Sequence, residues 1–375
     1  MGELVVIGPD VDTFENVGGQ VGNLPHWASW WTSPEGRSGT YPTWFSSLSK
    51  EPTKRRLPAR MPAPQLLFLF IAVGCMGQQK GQMRPFALRA ESAKFWEVIA
   101  QDTKLDKVAG GFGFTEGPVW DEKGFLYVSD EEKNTVSRVY PDGRVETVVS
   151  LGDPDGSTFD SKHHLINCAS VLRAIIEIAP DGTYKVLADK YDGKKFNSPN
   201  DVVLGPDGAL YFTDPTLDLP KGEKQELPNQ GVYRLAGDGS VQLLIGDLSQ
   251  PNGLAFSPDG KRLYLDDTKQ RDIHVYDFAN GKATNGRLFG KEEGRGGVPD
   301  GMRVDMRGNL YVTGPLGIWV WDSEGNHIGT IVVPESPANL AWGDKDYQTL
   351  YLTAKSTVYK IRTKVRGFLP DRPAN

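Results

Sequence analysis

One tripeptide pattern, Leu-Tyr-apolar or a close variant, returns six times along the second two-thirds of the chain. The copies are Phe125-Leu126-Tyr127-Val128, His164-Leu165-Ile166, Ala209-Leu210-Tyr211-Phe212, Arg262-Leu263-Tyr264-Leu265, Asn309-Leu310-Tyr311-Val312 and Thr349-Leu350-Tyr351-Leu352. Their leucines stand 39, 45, 53, 47 and 40 residues apart. Six copies at a period in the forties match a radial array of four-stranded blades, each blade using about 40–45 residues. The fold class predicted is therefore all-β, a six-bladed β-propeller over residues 105–365.

The punctuation agrees with that reading. Pro141-Asp142-Gly143, Pro180-Asp181-Gly182, Pro206-Asp207-Gly208 and Pro258-Asp259-Gly260 are turns in which Pro presets one φ and Gly accepts a positive one. Alternating runs follow several of them, as in Arg144-Val145-Glu146-Thr147-Val148-Val149, and read as half-buried strands. The abundance of Gly (43) and Pro (26) suits a turn-rich β protein. Closing a ring of blades normally takes a strand from the other terminus, and Leu105-Asp106-Lys107-Val108-Ala109 is the candidate to pair with Ser356-Thr357-Val358-Tyr359-Lys360-Ile361. Residues 217–229 form one long polar insertion in the third repeat, placed where a lid or specificity loop would sit.

Upstream of residue 105 the texture differs. Residues 1–60 contain four Trp and no sustained period, and are expected to be a poorly ordered or mis-assigned extension. A basic cluster, Lys54-Arg55-Arg56 with Arg60, precedes the apolar run Leu66-Leu67-Phe68-Leu69-Phe70-Ile71-Ala72-Val73. That run is too short to span a bilayer, which takes about 20 residues, but it fits the apolar core of an export signal. Its ending, Ala72-Val73-Gly74-Cys75, resembles a lipoprotein cleavage box. Residues 61–75 are thus expected to be a signal-peptide-like segment, with a periplasmic or lipid-anchored mature chain starting at Cys75; the other reading is a simple hydrophobic patch in a cytoplasmic protein. Residues 76–104 read as a tether with one short helix near residues 91–99.

The register of the repeats locates a candidate site. Ten or eleven residues before each anchor leucine stand Glu116, Asp155, Asn200, Asn252, Asp300 and Asn339, all oxygen-bearing. Equivalent positions of successive blades face the same axis, so the six are expected to converge. Oxygen-bearing side chains with no His or Cys in register suit a hard divalent cation, Ca²⁺ above the geometrically stricter Mg²⁺. Asp155 and Asn339 are candidate substrate-binding residues along with Asn200, and Asp201 is placed to orient Asn200. Asp130, Asp214 and Asp267 end their strands and read as caps of the following turn. The five histidines show no metal-ligand spacing, and the two cysteines, Cys75 and Cys168, no disulfide framework.

Four loops carry a family resemblance: Phe114-Thr115-Glu116-Gly117-Pro118-Val119-Trp120, Asn197-Ser198-Pro199-Asn200-Asp201, Gln250-Pro251-Asn252-Gly253-Leu254 and Val298-Pro299-Asp300-Gly301-Met302. They resemble the signature loops of the gluconolactonase, senescence-marker-protein and luciferin-regenerating-enzyme family. The resemblance covers residues 105–362. It implies a six-bladed propeller that opens small-molecule lactones, a divalent cation held by Glu116, Asn200, Asn252 and Asp300, and a catalytic base at Asp300. Two departures stand out. Many members have Arg where this chain has Ser198, and many have His after the cysteine that aligns with Cys168, where this chain has Ala169.

Other function classes recede. A net charge of −6 and a pI near 5.5 argue against a nucleic-acid groove. No G-x-S-x-G elbow, P-loop or dinucleotide fingerprint is present. Hydrolysis of organophosphate-type esters on the same kind of site, and a non-catalytic binding propeller stabilised by an ion, remain the alternatives to a lactone hydrolase.

Overall fold

The computed structural model describes residues 83–371. Residues 61–75, expected to be a signal-like segment, with Cys75, and residues 1–60, expected to be an extension, lie outside the described residues. Six antiparallel sheets of four or five strands follow one another along the chain, and the six anchor repeats each supply the second strand of one of them. Blade one spans Thr115–Asp121 to Val145–Ser150, and blade two Pro154–Phe159 to Tyr184–Ala188. Blades three, four and five have inner strands Val202–Leu204, Pro251–Phe256 and Met302–Val304, and blade six has Pro337–Gly343. The predicted closure is present: Leu105–Gly110 lies antiparallel to Thr357–Arg362 as the outermost strand of blade six, with Leu105 opposite Ile361.

The repeated tyrosine has a structural reason. Tyr211, Tyr264, Tyr311 and Tyr351 are fully buried, each wedged in the apolar layers between blades. A buried phenol needs a partner for its hydroxyl. Tyr211 finds it in Asp207 of its Pro-Asp-Gly turn, at 3.0 Å, Tyr351 in Asp344 at 2.9 Å and Tyr311 in Asp305 at 3.2 Å. The turn signal and the core signal of one repeat are therefore a single hydrogen-bonded unit.

Neighbouring blades are stitched near the axis by hydroxyls at or just beyond the ends of the anchor strands. Ser129 donates to the Asp155 carbonyl (2.7 Å), Ser170 to that of Pro199 (2.8 Å), Thr268 to that of Pro299 (2.9 Å) and Thr313 to that of Ala338 (3.1 Å). Each bond fixes the inner strand of the next blade where its candidate site residue sits.

Residues 83–104 are not a free tether. Ala87–Ala90 adds a fifth strand to the outer edge of blade five, with Ala87 opposite Val332. The helical turn Phe95–Val98 packs Phe95, Val98 and Ile99 into the core shared by blades five and six. Lys94 binds Asp322 at 2.7 Å. A four-residue strand that borrows an existing sheet edge has too little alternation to be visible in sequence.

Candidate active site

The inner strands reach the axis through irregular backbone. In four blades the register of the inner strand shifts beside the candidate residue: between Glu116 and Val119, Pro154 and Ser157, Pro251 and Leu254, and Pro337 and Asn339. Bulges of this kind re-aim a side chain away from its sheet face. The following glycines let blades close in. A Cβ on Gly117, which has φ of +49°, would stand 2.1 Å from the Asp155 carbonyl oxygen; one on Gly253 would stand 1.9 Å from that of Asp300.

A cavity of about 380 Å³ opens at this end of the ring. Glu116, Asn200, Asn252 and Asp300 all line it. Asp155 and Asn339, expected to touch substrate, do not; each is turned onto a neighbour in the ring. Asp155 Oδ2 accepts the Asn200 side-chain amide at 2.6 Å, and Asn339 donates its own to Glu116 Oε2 at 2.8 Å. Register placed their backbones correctly, while hydrogen bonding decided where the side chains point. Asp201, expected to orient Asn200, turns its side chain elsewhere: its Oδ1 accepts the Val202 N–H (2.9 Å), and its Oδ2 lies 3.5 Å from Arg303. Asp130 and Asp267 cap the turns that follow them, accepting the N–H groups of Lys133 and Gln270; all three also hold the loop before their blade's inner strand through the N–H groups of Gly113, Asn197 and Ser249, and for Asp214 this bond stands in place of the expected cap.

The donor set fits a cation on its own chemistry. Glu116 Oε1 and Asn252 Oδ1 are buried with no hydrogen-bond partner among the described residues. A buried oxygen without a donor is costly, by about 1–3 kcal/mol each, unless something else binds it. Asn200 uses its amide N–H groups on Asp155 and Asp218, which leaves its carbonyl oxygen as the free donor atom. No hydrogen bond from the described residues reaches the half-buried Asp300 carboxyl. With no ion, burial raises the pKa of Glu116 to about 8, against the hydrogen bonds from Gly117 and Asn339. Burial and then the Glu116 charge hold Asp300 well above the usual carboxylate range. A divalent cation would relieve both.

The wall also contains residues that the repeat could not reveal. Glu131 follows the anchor strand of blade one, and Asp218 belongs to the 217–229 insertion. Lys269 and Arg271, from the turn after the anchor strand of blade four, also line it; Arg271 is bound to the carbonyls of Gly294 and Gly297. The insertion is tied to the ring at several points. Ser198 Oγ donates to the Pro215 carbonyl (2.8 Å) and accepts the Asp218 N–H (3.2 Å), the buried Arg173 pairs with Glu223 (2.9 Å), and Leu227 is buried in the core. Away from the cavity, Asp160, His164 and Glu177 bring one ligand atom each within 4.8 Å of one another on blade two, a cluster that histidine spacing did not suggest. Lys185 already pairs with Glu177 at 2.9 Å, and Asp160 caps a turn through the N–H groups of Lys162 and His164.

The profile of the SMP-30/Gluconolactonase/LRE-like region matches residues 114–356. The chain belongs to this family. It is 34% identical over 321 residues to a gluconolactonase of Zymomonas mobilis, covering 78% of this chain and 88% of the relative. A pentonolactonase of Haloferax volcanii is 30% identical over 247 residues, covering 64% and 80%. Among solved structures, a gluconolactonase of Xanthomonas campestris superposes with a TM-score of 0.69 at 31% identity, over 75% of this chain and 98% of that one. The family match contains all six ring positions together with Glu131, Asp218, Lys269 and Arg271.

Proposed function

We propose that this chain is a lactonase that opens small, sugar-type lactones with the help of one divalent cation, Ca²⁺ by preference. The observation that carries the reading is the convergence of Glu116, Asn200, Asn252 and Asp300 on one cavity, two of them with buried oxygens that no other described residue satisfies. Relatives that act as gluconolactonase and pentonolactonase support the substrate class.

When bound to these four oxygens, the cation would supply Lewis-acid polarisation of the lactone carbonyl, an effect worth several kcal/mol. Asn339 holds the Glu116 carboxylate in one rotamer through a 2.8 Å bond, and Asp155 does the same for Asn200. Such preorganisation keeps the donors from spending energy on rearrangement as charge develops. Asp300, whose carboxyl no other group of the described chain engages, takes a proton from the attacking water as its oxygen adds to the carbonyl carbon. Phe114, Leu217 and Val298 furnish the apolar wall that displaces solvent from the reacting ring.

The test is a panel of five- and six-membered lactones assayed on the parent, after chelation and after Ca²⁺ is restored. Hydrolysis that disappears with chelator and returns with the ion is expected. Absence of any cation-dependent turnover would remove the lactonase reading and leave a binding propeller.

A further inference from the structure

Opening a lactone breaks the bond between carbonyl carbon and ring oxygen. That oxygen leaves as an alkoxide, a poor leaving group, unless a proton reaches it. Glu116 and Asp300 have their roles, yet the same cavity holds two more carboxyls, Glu131 and Asp218.

These two differ in what surrounds them. Asp218 receives a hydrogen bond from the Asn200 amide, which favours its charged form, and its backbone N–H is tied to Ser198. Glu131 anchors its backbone by donating its N–H to the Phe114 carbonyl at 3.0 Å. Its carboxyl is served by no hydrogen-bond donor among the described residues, and the charged groups that act on it are the carboxyls of Asp155, Asp218, Asp153 and Glu116. The cavity's two cations, Lys269 and Arg271, belong to blade four, across the ring from blade one. The Glu131 carboxyl thus has no hydrogen-bond donor among the described residues and no side-chain cation of its own blade in the cavity. Burial first, and then those acidic neighbours, keep Glu131 well above the ordinary carboxylate range, while burial raises Asp218 only to about 6. Of these two further carboxyls, Glu131 is therefore the one that keeps a proton to give.

We propose that Glu131 is the acid that protonates the departing ring oxygen; this rests on the lactonase reading above. Water adds its oxygen to the carbonyl carbon and gives one proton to Asp300. The carbon–oxygen ring bond breaks, its electron pair stays on the ring oxygen, and the Glu131 proton bonds to that pair. The product is the hydroxy acid. Glu131 regains a proton from solvent through the cavity mouth, Asp300 releases one, and the balance is lactone plus water giving hydroxy acid.

The decisive experiment compares two six-membered lactones that differ in leaving group. δ-Valerolactone must expel an aliphatic alkoxide; dihydrocoumarin expels a phenoxide, whose conjugate acid has a pKa of about 10 like tyrosine and which needs little help. Glu131→Gln keeps the shape and removes the transferable proton. It is expected to lower kcat on δ-valerolactone by about 100-fold or more, in the range of general-acid contributions, and to leave dihydrocoumarin within about threefold. Ca²⁺ affinity of the variant, measured by calorimetry, should match the parent. Equal losses on both lactones, or no loss on either, would overturn the assignment. A second measurement needs no variant: across substituted dihydrocoumarins and aliphatic lactones the parent's kcat should depend only weakly on leaving-group basicity, and a steep dependence overturns the proposal. If the parent hydrolyses neither lactone with Ca²⁺ present, the lactonase reading itself fails and this one with it; turnover of both with the wrong selectivity removes this inference alone.

Discussion

Asn339 and Glu116 are separated by 223 positions and joined by a 2.8 Å hydrogen bond from the side-chain amide to Oε2. The bond links the last blade to the first at the axis, so ring closure and the shaping of the site are one event. It also leaves Glu116 Oε1 as the unengaged oxygen. The 2.6 Å bond from Asn200 to Asp155 repeats the device between blades three and two.

Removing the positioning partner should therefore weaken cation binding without touching a donor atom. Asn339→Ala is expected to lower Ca²⁺ affinity by about 10–100-fold, the usual effect of losing a group that orients a metal ligand. Calorimetric titration of chelator-treated protein measures it directly. An unchanged Kd would mean that Glu116 is oriented by the Gly117 N–H alone.

The N-terminal segment gives a stability test. Phe95 is fully buried against blades five and six, so Phe95→Ala should cost about 3–5 kcal/mol. Urea unfolding of the full chain reads this as a shift in midpoint at constant slope. A change under about 1 kcal/mol would show that residues 83–104 contribute nothing to the stability of the ring.

Blade number, ring closure and the convergence of Glu116, Asn200, Asn252 and Asp300 on one cavity were legible because they depend on backbone register, which a repeat of roughly forty residues transmits faithfully. Side-chain direction was not. Asp155 and Asn339 have the same register as Glu116 but spend their polar groups on their neighbours, a choice made by hydrogen bonds between residues 45 and 223 positions apart. Glu131 and Asp218 escaped for another reason. One follows a strand end and the other sits in an insertion, so no repeat marks them, and their proximity exists only once the blades are placed in a circle. Ser198 shows the same limit: nothing in its neighbours announces that its hydroxyl fastens the insertion beside the cavity.

Asp214 provides a pH-dependent signature of the fold. Its Oδ2 accepts the Asn197 N–H at 2.8 Å, its Oδ1 is buried without a hydrogen-bond partner among the described residues, and burial raises its pKa to about 8 against an ordinary 3.8. The folded state therefore holds this proton more tightly than the unfolded chain. Its stabilising contribution is full below pH 3.8 and is lost progressively as pH rises to about 8. Asp214→Asn removes the titration, so the stability of the variant relative to the parent should increase between pH 4 and 8 and level off above. Denaturant unfolding across that range checks the sign; parallel curves would refute it.

The cation itself is tested most directly at its two carboxylates. Glu116→Gln and Asp300→Asn each keep size and shape and remove one negative charge from a set whose other two donors are neutral amides. Ca²⁺ at about a hundred times its Kd should stabilise the parent by about 2.7 kcal/mol, visible as a rise in Tm. Each variant is expected to need at least tenfold more ion for the same rise, and the double variant should show none. The comparison also separates the two roles given to Asp300. Raising Ca²⁺ until Asp300→Asn is saturated restores the Tm shift but should not restore lactone turnover, because the amide cannot take the proton of the attacking water. Glu116→Gln treated the same way should recover most of its activity, since its loss is one of affinity. Full turnover of ion-saturated Asp300→Asn would show that the base lies elsewhere, and unchanged Ca²⁺ affinity in both variants would move the ion out of this cavity.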